Sequence, residues 1–141
     1  MKRVSIMNRS VMFMIFLKSK NIPVLPRIIN YINRIIFSCD IPSSVKIHKG
    51  TIFAHSGLGV VIHSKAIIGE NCKIYQGVTI GGRGERGTPV IGNNVFIGAN
   101  ATIIGNVKIG DDSIIGANSL VIHDVKTESV VAGNPAKEIK Y

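Results

Sequence analysis

The chain has few aromatic residues, few acids and almost no cysteine. Its 141 residues include no Trp, three Tyr, five Phe and two Cys. Cys39 and Cys72 supply neither a disulfide framework nor zinc-ligand spacing. No aromatic RNA-recognition motif, zinc finger or helix-turn-helix pattern is present, so nucleic acid is not the expected partner. The longest apolar run near the start, Val11 to Leu17, is too short to span a bilayer. It follows Lys2 and Arg3 as a signal-peptide core would, but Lys18-Ser19-Lys20 stands where a small-residue cleavage site would be needed. The chain therefore reads as cytoplasmic, with peripheral contact at the inner membrane surface left open. Acids number 8 against 17 Lys and Arg, a net charge of +9 that favours polyanionic partners without naming one. With 45% hydrophobic residues the chain reads as folded, and its length suits one domain.

What is present is a six-residue period. Ile91, Ile97, Ile103, Ile109, Ile115 and Val121 recur at that interval, as do Ile62, Ile68, Ile74 and Ile80. Ile80 and Ile91 are eleven apart, so five extra residues separate the two runs. Four residues after these positions stands a small or β-branched side chain: Ala66, Cys72, Val78, Val95, Ala101, Val107, Ser113 and Ser119. This column shares a strand face with the isoleucines and marks Cys72 as a packing residue. Three residues after each Ile from Ile68 onward, the insertion aside, come Asn71, Gly77, Asn94, Asn100, Asn106, Asp112 and Asn118. These residue types adopt left-handed backbone most cheaply, so a corner is expected in every repeat. Short strands with a corner every six residues describe a β-solenoid, not an amphipathic helix.

The pattern resembles the hexapeptide-repeat acyltransferases from Asp40 to Lys140. That resemblance implies an all-β, left-handed parallel β-helix of three strands per coil of about eighteen residues. The segments Phe53-Ala54-His55-Ser56-Gly57, Gln76 to Gly82 and Val131 to Lys137 are similar to the serine acetyltransferase branch and to short polysaccharide O-acetyltransferases. The expected layout is an N-terminal helical cap over residues 1–39, then a β-helix over 40–141 with loop 81–90 and a C-terminal tail. Within the cap, Pro26 to Ile36 reads as an apolar, basic helix that covers the first coil or contacts a membrane or synthase complex.

Transfer of an acetyl group from a thioester to an alcohol requires removal of the alcohol's proton, a task suited to histidine. In the resembling enzymes the base falls at the position matched by His55, and an aspartate fifteen residues upstream, here Asp40, orients it. On an eighteen-residue coil that separation is nearly one circuit, which predicts that the two side chains approach across adjacent coils. The resemblance implies acetyl-CoA as co-substrate, with Ala99 and Ala117 lining the thioester and pantetheine. His123 then matches a cofactor-site position often occupied by Lys, Lys137 matches a C-terminal basic residue near the nucleotide, and Gly81 and Gly82 open the inserted loop. No metal is expected. His48 and His63 read as surface residues, and Cys39 is not needed as a covalent nucleophile. Ala54 stands where serine acetyltransferases carry an Asp, and Thr88 where they carry a second histidine. These departures turn the expected acceptor towards a saccharide hydroxyl, with serine as the alternative. A non-catalytic scaffold and a γ-type carbonic anhydrase are the other readings. The latter needs three zinc-ligand histidines in a spacing not found at His48, His55 and His63. The resemblance also implies a homotrimer, and Phe96 and Ile114, eighteen apart at outward positions just before a repeat Ile, are expected to stack on one outer face.

Overall fold

The computed structural model describes residues 5–140. It is a left-handed parallel β-helix preceded by two helices, α1 (Ile6–Ser19) and α2 (Leu25–Phe37). Three parallel sheets form the walls. The first stacks Val61–Ile62, Thr79–Gly81, Thr102–Ile104 and Leu120–Val121, with Asp40 bridging to Val61 beneath them. The second stacks Lys46–Ile47, Ile67–Ile68, Val90–Ile91 and Lys108–Ile109. The third runs from Ile52–Phe53 through Lys73–Ile74, Phe96–Ile97 and Ile114–Ile115 to Val130–Ala132, and Lys137–Glu138 closes it antiparallel.

The period explains this directly. Each repeat Ile points inward and is buried, as are the residues of the smaller column. Buried hydroxyls in that column are paired: Ser113 Oγ donates to the Gly110 carbonyl (2.7 Å) and Ser119 Oγ accepts from the Gly133 N–H (3.2 Å). Asn71, Gly77, Asn94, Asn100, Asp112 and Asn118 all take positive φ, as expected of corners. Asn106 is the exception. There the strand Thr102–Ile104 runs one residue longer and Gly105 makes the turn at φ 94°. The inserted loop lies over this corner, since a Cβ placed on Gly87 would sit 3.0 Å from that of Asn106.

Helix α1 covers the open first coil. Met7, Val11 and Met14 join the β-helix core, and the side-chain oxygen of Asn8 accepts the backbone N–H of Phe53 (3.1 Å), which the coil leaves without a ladder partner. Helix α2 packs on α1 and spans the helix expected over Pro26 to Ile36. It buries Pro26 and Asn33 and leaves most of its isoleucines exposed.

Candidate active site

Coil length locates His55. Successive coils along the first wall are eighteen residues apart where Val61 pairs Thr79, but Asp40 bridges Val61 at twenty-one. The inward column also reads Ile41, Ile47, Phe53 and then Ile62, a nine-residue step in place of six. Three residues are therefore inserted at the edge between the third and first walls, and they build the turn Ala54–Gly57 that carries His55. The coil that holds Asp40 and His55 thus has twenty-one residues, not the eighteen expected from the repeat. The wider turn pushes His55 outward from the edge.

His55, Ser56 and Gly57 take φ of 50°, 54° and 57° in succession. Left-handed backbone at non-glycine residues costs on the order of 1–3 kcal/mol per residue and persists where its surroundings enforce it. The bracing is visible: Phe53 is held by Asn8, a Cβ on Gly57 would lie 2.0 Å from Met7 Cε, and Val60 N–H donates to the Gly57 carbonyl (3.0 Å). Both Met7 and Asn8 belong to α1, so the helix that caps the coil also shapes the His55 turn.

The His55 ring is exposed and tilted against Tyr75, with centroids 5.6 Å apart. Tyr75 continues to Phe96 at 5.1 Å, and Lys73 Nζ lies 5.1 Å from the Tyr75 centroid. An aromatic wall thus runs from the histidine along the third face. Tyr75 was not singled out from sequence, yet the signal was there. It directly follows repeat Ile74 on the third wall, where Gly98 and Gly116 follow Ile97 and Ile115 in the coils above.

Asp40 lies under the same part of the first wall: its N–H donates to the Val60 carbonyl (2.8 Å) and its carbonyl accepts from Ile62 (2.9 Å). Its carboxylate faces Arg34 of α2 at 3.7 Å, an exposed pair of small energetic weight. Among the described residues no hydrogen bond or ion pair joins Asp40 to His55. Cys39, beside Asp40, is buried; desolvation, with the neighbouring carboxylate, pushes its thiol up and away from nucleophilic use.

Of the other expected residues, Ala99 and Ala117 lie on the His55 edge in higher coils, and the Ala99 carbonyl accepts from Asn118 (2.8 Å). Gln76 sits on this edge between the His55 turn and Ala99; its side-chain oxygen is buried without a partner in the protein. Gly81 and Gly82 occupy the opposite border of the first wall, with Gly82 against the His63 ring. His123 follows the same border to the far end, where it lines a cavity of about 110 Å³ with Asp124, Lys126 and Glu138. Lys137 is exposed on the antiparallel closing strand. Within one chain, then, His55, Ala99 and Ala117 share an edge, Lys137 pairs with Ala132 beside its top, and Gly81, Gly82 and His123 lie on the opposite border of the first wall. A separate cavity of about 550 Å³, beside the end of α1, takes in Lys18, Lys46 and His48 rather than His55.

Residues 88–123 match the family described as bacterial transferase hexapeptide (six repeats). Serine acetyltransferase of Synechococcus elongatus is 39% identical over 127 residues, covering 88% of this chain and 52% of that protein. Soybean serine acetyltransferase complexed with serine superposes with a TM-score of 0.86 at 36% identity, covering 94% of this chain and 56% of that one. A serine acetyltransferase in complex with CoA does so with a TM-score of 0.85 at 33% identity, covering 94% and 56%. In repeat and in fold the chain is similar to the hexapeptide transferases. These relatives carry the serine acetyltransferase name, not that of the polysaccharide enzymes. The chain spans about half the length of the relatives it matches.

Proposed function

We propose that the chain is an acetyl-CoA-dependent O-acetyltransferase with L-serine as its acceptor. The observation that carries this reading is the exposed His55, set by a braced left-handed turn on an edge that continues through Gln76 to Ala99 and Ala117. The relatives solved with serine and with CoA support the choice of substrates. His55 takes the hydroxyl proton as the oxygen attacks the thioester carbonyl; the carbon–sulfur bond breaks and the proton leaves with the thiol. Asp40 turns from Arg34 to orient the ring and stabilise the imidazolium. Acetyl-CoA fits the edge chemically: the small side chains of Ala99 and Ala117 leave room for the pantetheine, and a rotation of Gln76, whose oxygen is buried without a protein partner, would bring that oxygen to a pantetheine N–H. Lys137 serves the nucleotide from the top of this edge, and His123, Gly81 and Gly82 do so from a neighbouring chain of a homotrimer. Phe96 and Ile114 pair in register on the outer third face, which that neighbour covers.

A second reading, a saccharide hydroxyl as acceptor, draws on Tyr75 beside His55, whose apolar ring face suits a sugar ring. It also draws on Ala54 and Thr88, which supply no charge to grip a zwitterion. Acetyl-CoA consumption with L-serine and with a panel of sugars and nucleotide sugars decides between the two. Serine turnover abolished by His55→Ala, with kcat down by about two to four orders of magnitude, is expected. Turnover of sugars without serine would install the second reading, and a loss below tenfold in His55→Ala would remove the histidine from the role.

A further inference from the structure

We propose that the N-terminal helices form a docking surface for an anionic lipid bilayer. Seven of the 17 Lys and Arg residues fall in residues 1–39, and the first acidic residue of the chain is Asp40. This stretch therefore carries +7 of the net +9, and the β-helix that follows is close to neutral. The same stretch holds the apolar surface. Of the fifteen large hydrophobic residues exposed among the described residues, ten lie between Ile6 and Ile36.

The arrangement on α2 is specific. Pro26 and Asn33 are buried, with Ile29 and Phe37 packed on the core beside them. At 100° per residue, Leu25, Ile28, Tyr31, Ile32, Ile35 and Ile36 fall together on the opposite face, and they are 43–82% exposed. Arg27 and Arg34 border that face. On α1, the exposed Ile6, Phe13 and Phe16 share a stripe with Arg9 and Lys20, whose ammonium lies 5.7 Å from the Phe16 ring. Soluble proteins seldom leave apolar surface of this extent uncovered.

Charge decides what covers it. A second copy laid on this face would set one basic rim against another, and the one acid beside either rim, Asp40, already faces Arg34 of its own chain at 3.7 Å and leaves Arg27 without a partner. An anionic bilayer meets both demands, accepting the isoleucines into the acyl boundary and the basic rim among the phosphates. The contact is interfacial, because α2 is only about 20 Å long and no described helix is long and apolar enough to cross a membrane. The β-helix would then stand on the membrane through its capped end, with the His55 turn next to the surface.

Flotation of the full chain with vesicles of phosphatidylcholine, alone or mixed with phosphatidylglycerol, tests this without relying on transferase activity. Binding to the anionic vesicles is expected to be at least about tenfold stronger and to weaken as salt is raised. Ile28→Ser combined with Ile35→Ser should lower it by about tenfold or more, with the Tm unchanged because both side chains are already exposed. Arg27→Glu should reduce binding while leaving the fold intact. Absent or equal binding to the two vesicle types would overturn the proposal. So would double-variant binding equal to wild type, together with wild-type self-association in sedimentation that the double variant abolishes; that pair of results would give the face to a second copy.

Discussion

Two glycine-to-alanine substitutions on one wall system should differ in sign. Gly98 follows repeat Ile97 at the His55 edge, is buried, and donates its N–H to the Ile115 carbonyl of the next coil (2.8 Å). A Cβ there would lie 2.6 Å from the Ala117 nitrogen and 2.9 Å from its Cα, all of it backbone that no rotamer change can relieve. Restoring ordinary contact requires the coils to part by nearly 1 Å against a normal strand spacing of about 4.8 Å. The ladder bonds across that seam, including Gly98 to Ile115 and Asn118 to Ala99 (both 2.8 Å), would stretch beyond useful length. Two weakened bonds at about 1 kcal/mol each, with overpacking of about 1–3 kcal/mol, give a loss of about 3–5 kcal/mol. That is a large share of the usual domain stability of about 5–15 kcal/mol. Gly81→Ala is the control. Its Cβ would meet Ile104 Cγ1 at 3.7 Å and Thr79 Cγ2 at 3.8 Å, ordinary contacts at a residue without positive φ. Loss of unfolded-state freedom should leave it neutral or stabilised by about 0.4–1 kcal/mol. Urea melts of the two variants at one protein concentration measure both. A Gly98→Ala midpoint equal to that of Gly81→Ala would show that the coils are not packed as described.

Asn8→Ala should cost about 1–3 kcal/mol by stranding the buried Phe53 N–H. Amide exchange at Phe53 should accelerate while that at Ile97 keeps its protection relative to global unfolding, and unchanged exchange at Phe53 would refute the cap. Both cysteine thiols are pushed up, chiefly by burial, so native protein should react with a disulfide reagent far more slowly than urea-unfolded protein. Because the folded thiols ionise at higher pH than the unfolded ones, this stabilising contribution is full below the ordinary thiol range and falls as pH rises through it. Melts that improve with rising alkaline pH in the wild type, but not in a Cys39→Ser, Cys72→Ser variant, would contradict that sign.

The β-helix was legible because each six-residue segment specifies its own geometry. An inward Ile, a small partner and a left-handed corner are local choices, and stacking on the next coil only repeats them. His55 and Asp40 were legible as chemical types through the motifs around them. Their setting was not. The three inserted residues showed in the sequence only as a nine-residue step from Phe53 to Ile62, and what they build depends on the coil above and the helix below. Tyr75 meets His55 across twenty residues, Asn8 meets Phe53 across forty-five, and Arg34 takes the carboxylate of Asp40. By itself the sequence determined the solenoid, its corners and the basic, acid-free N-terminal stretch, since composition and period are properties of the chain alone. Only the tertiary structure decided that α1 braces the His55 turn and which face of α2 stays uncovered. Those outcomes follow from which surfaces exclude water together, and neither six-residue periodicity nor helical spacing encodes that choice.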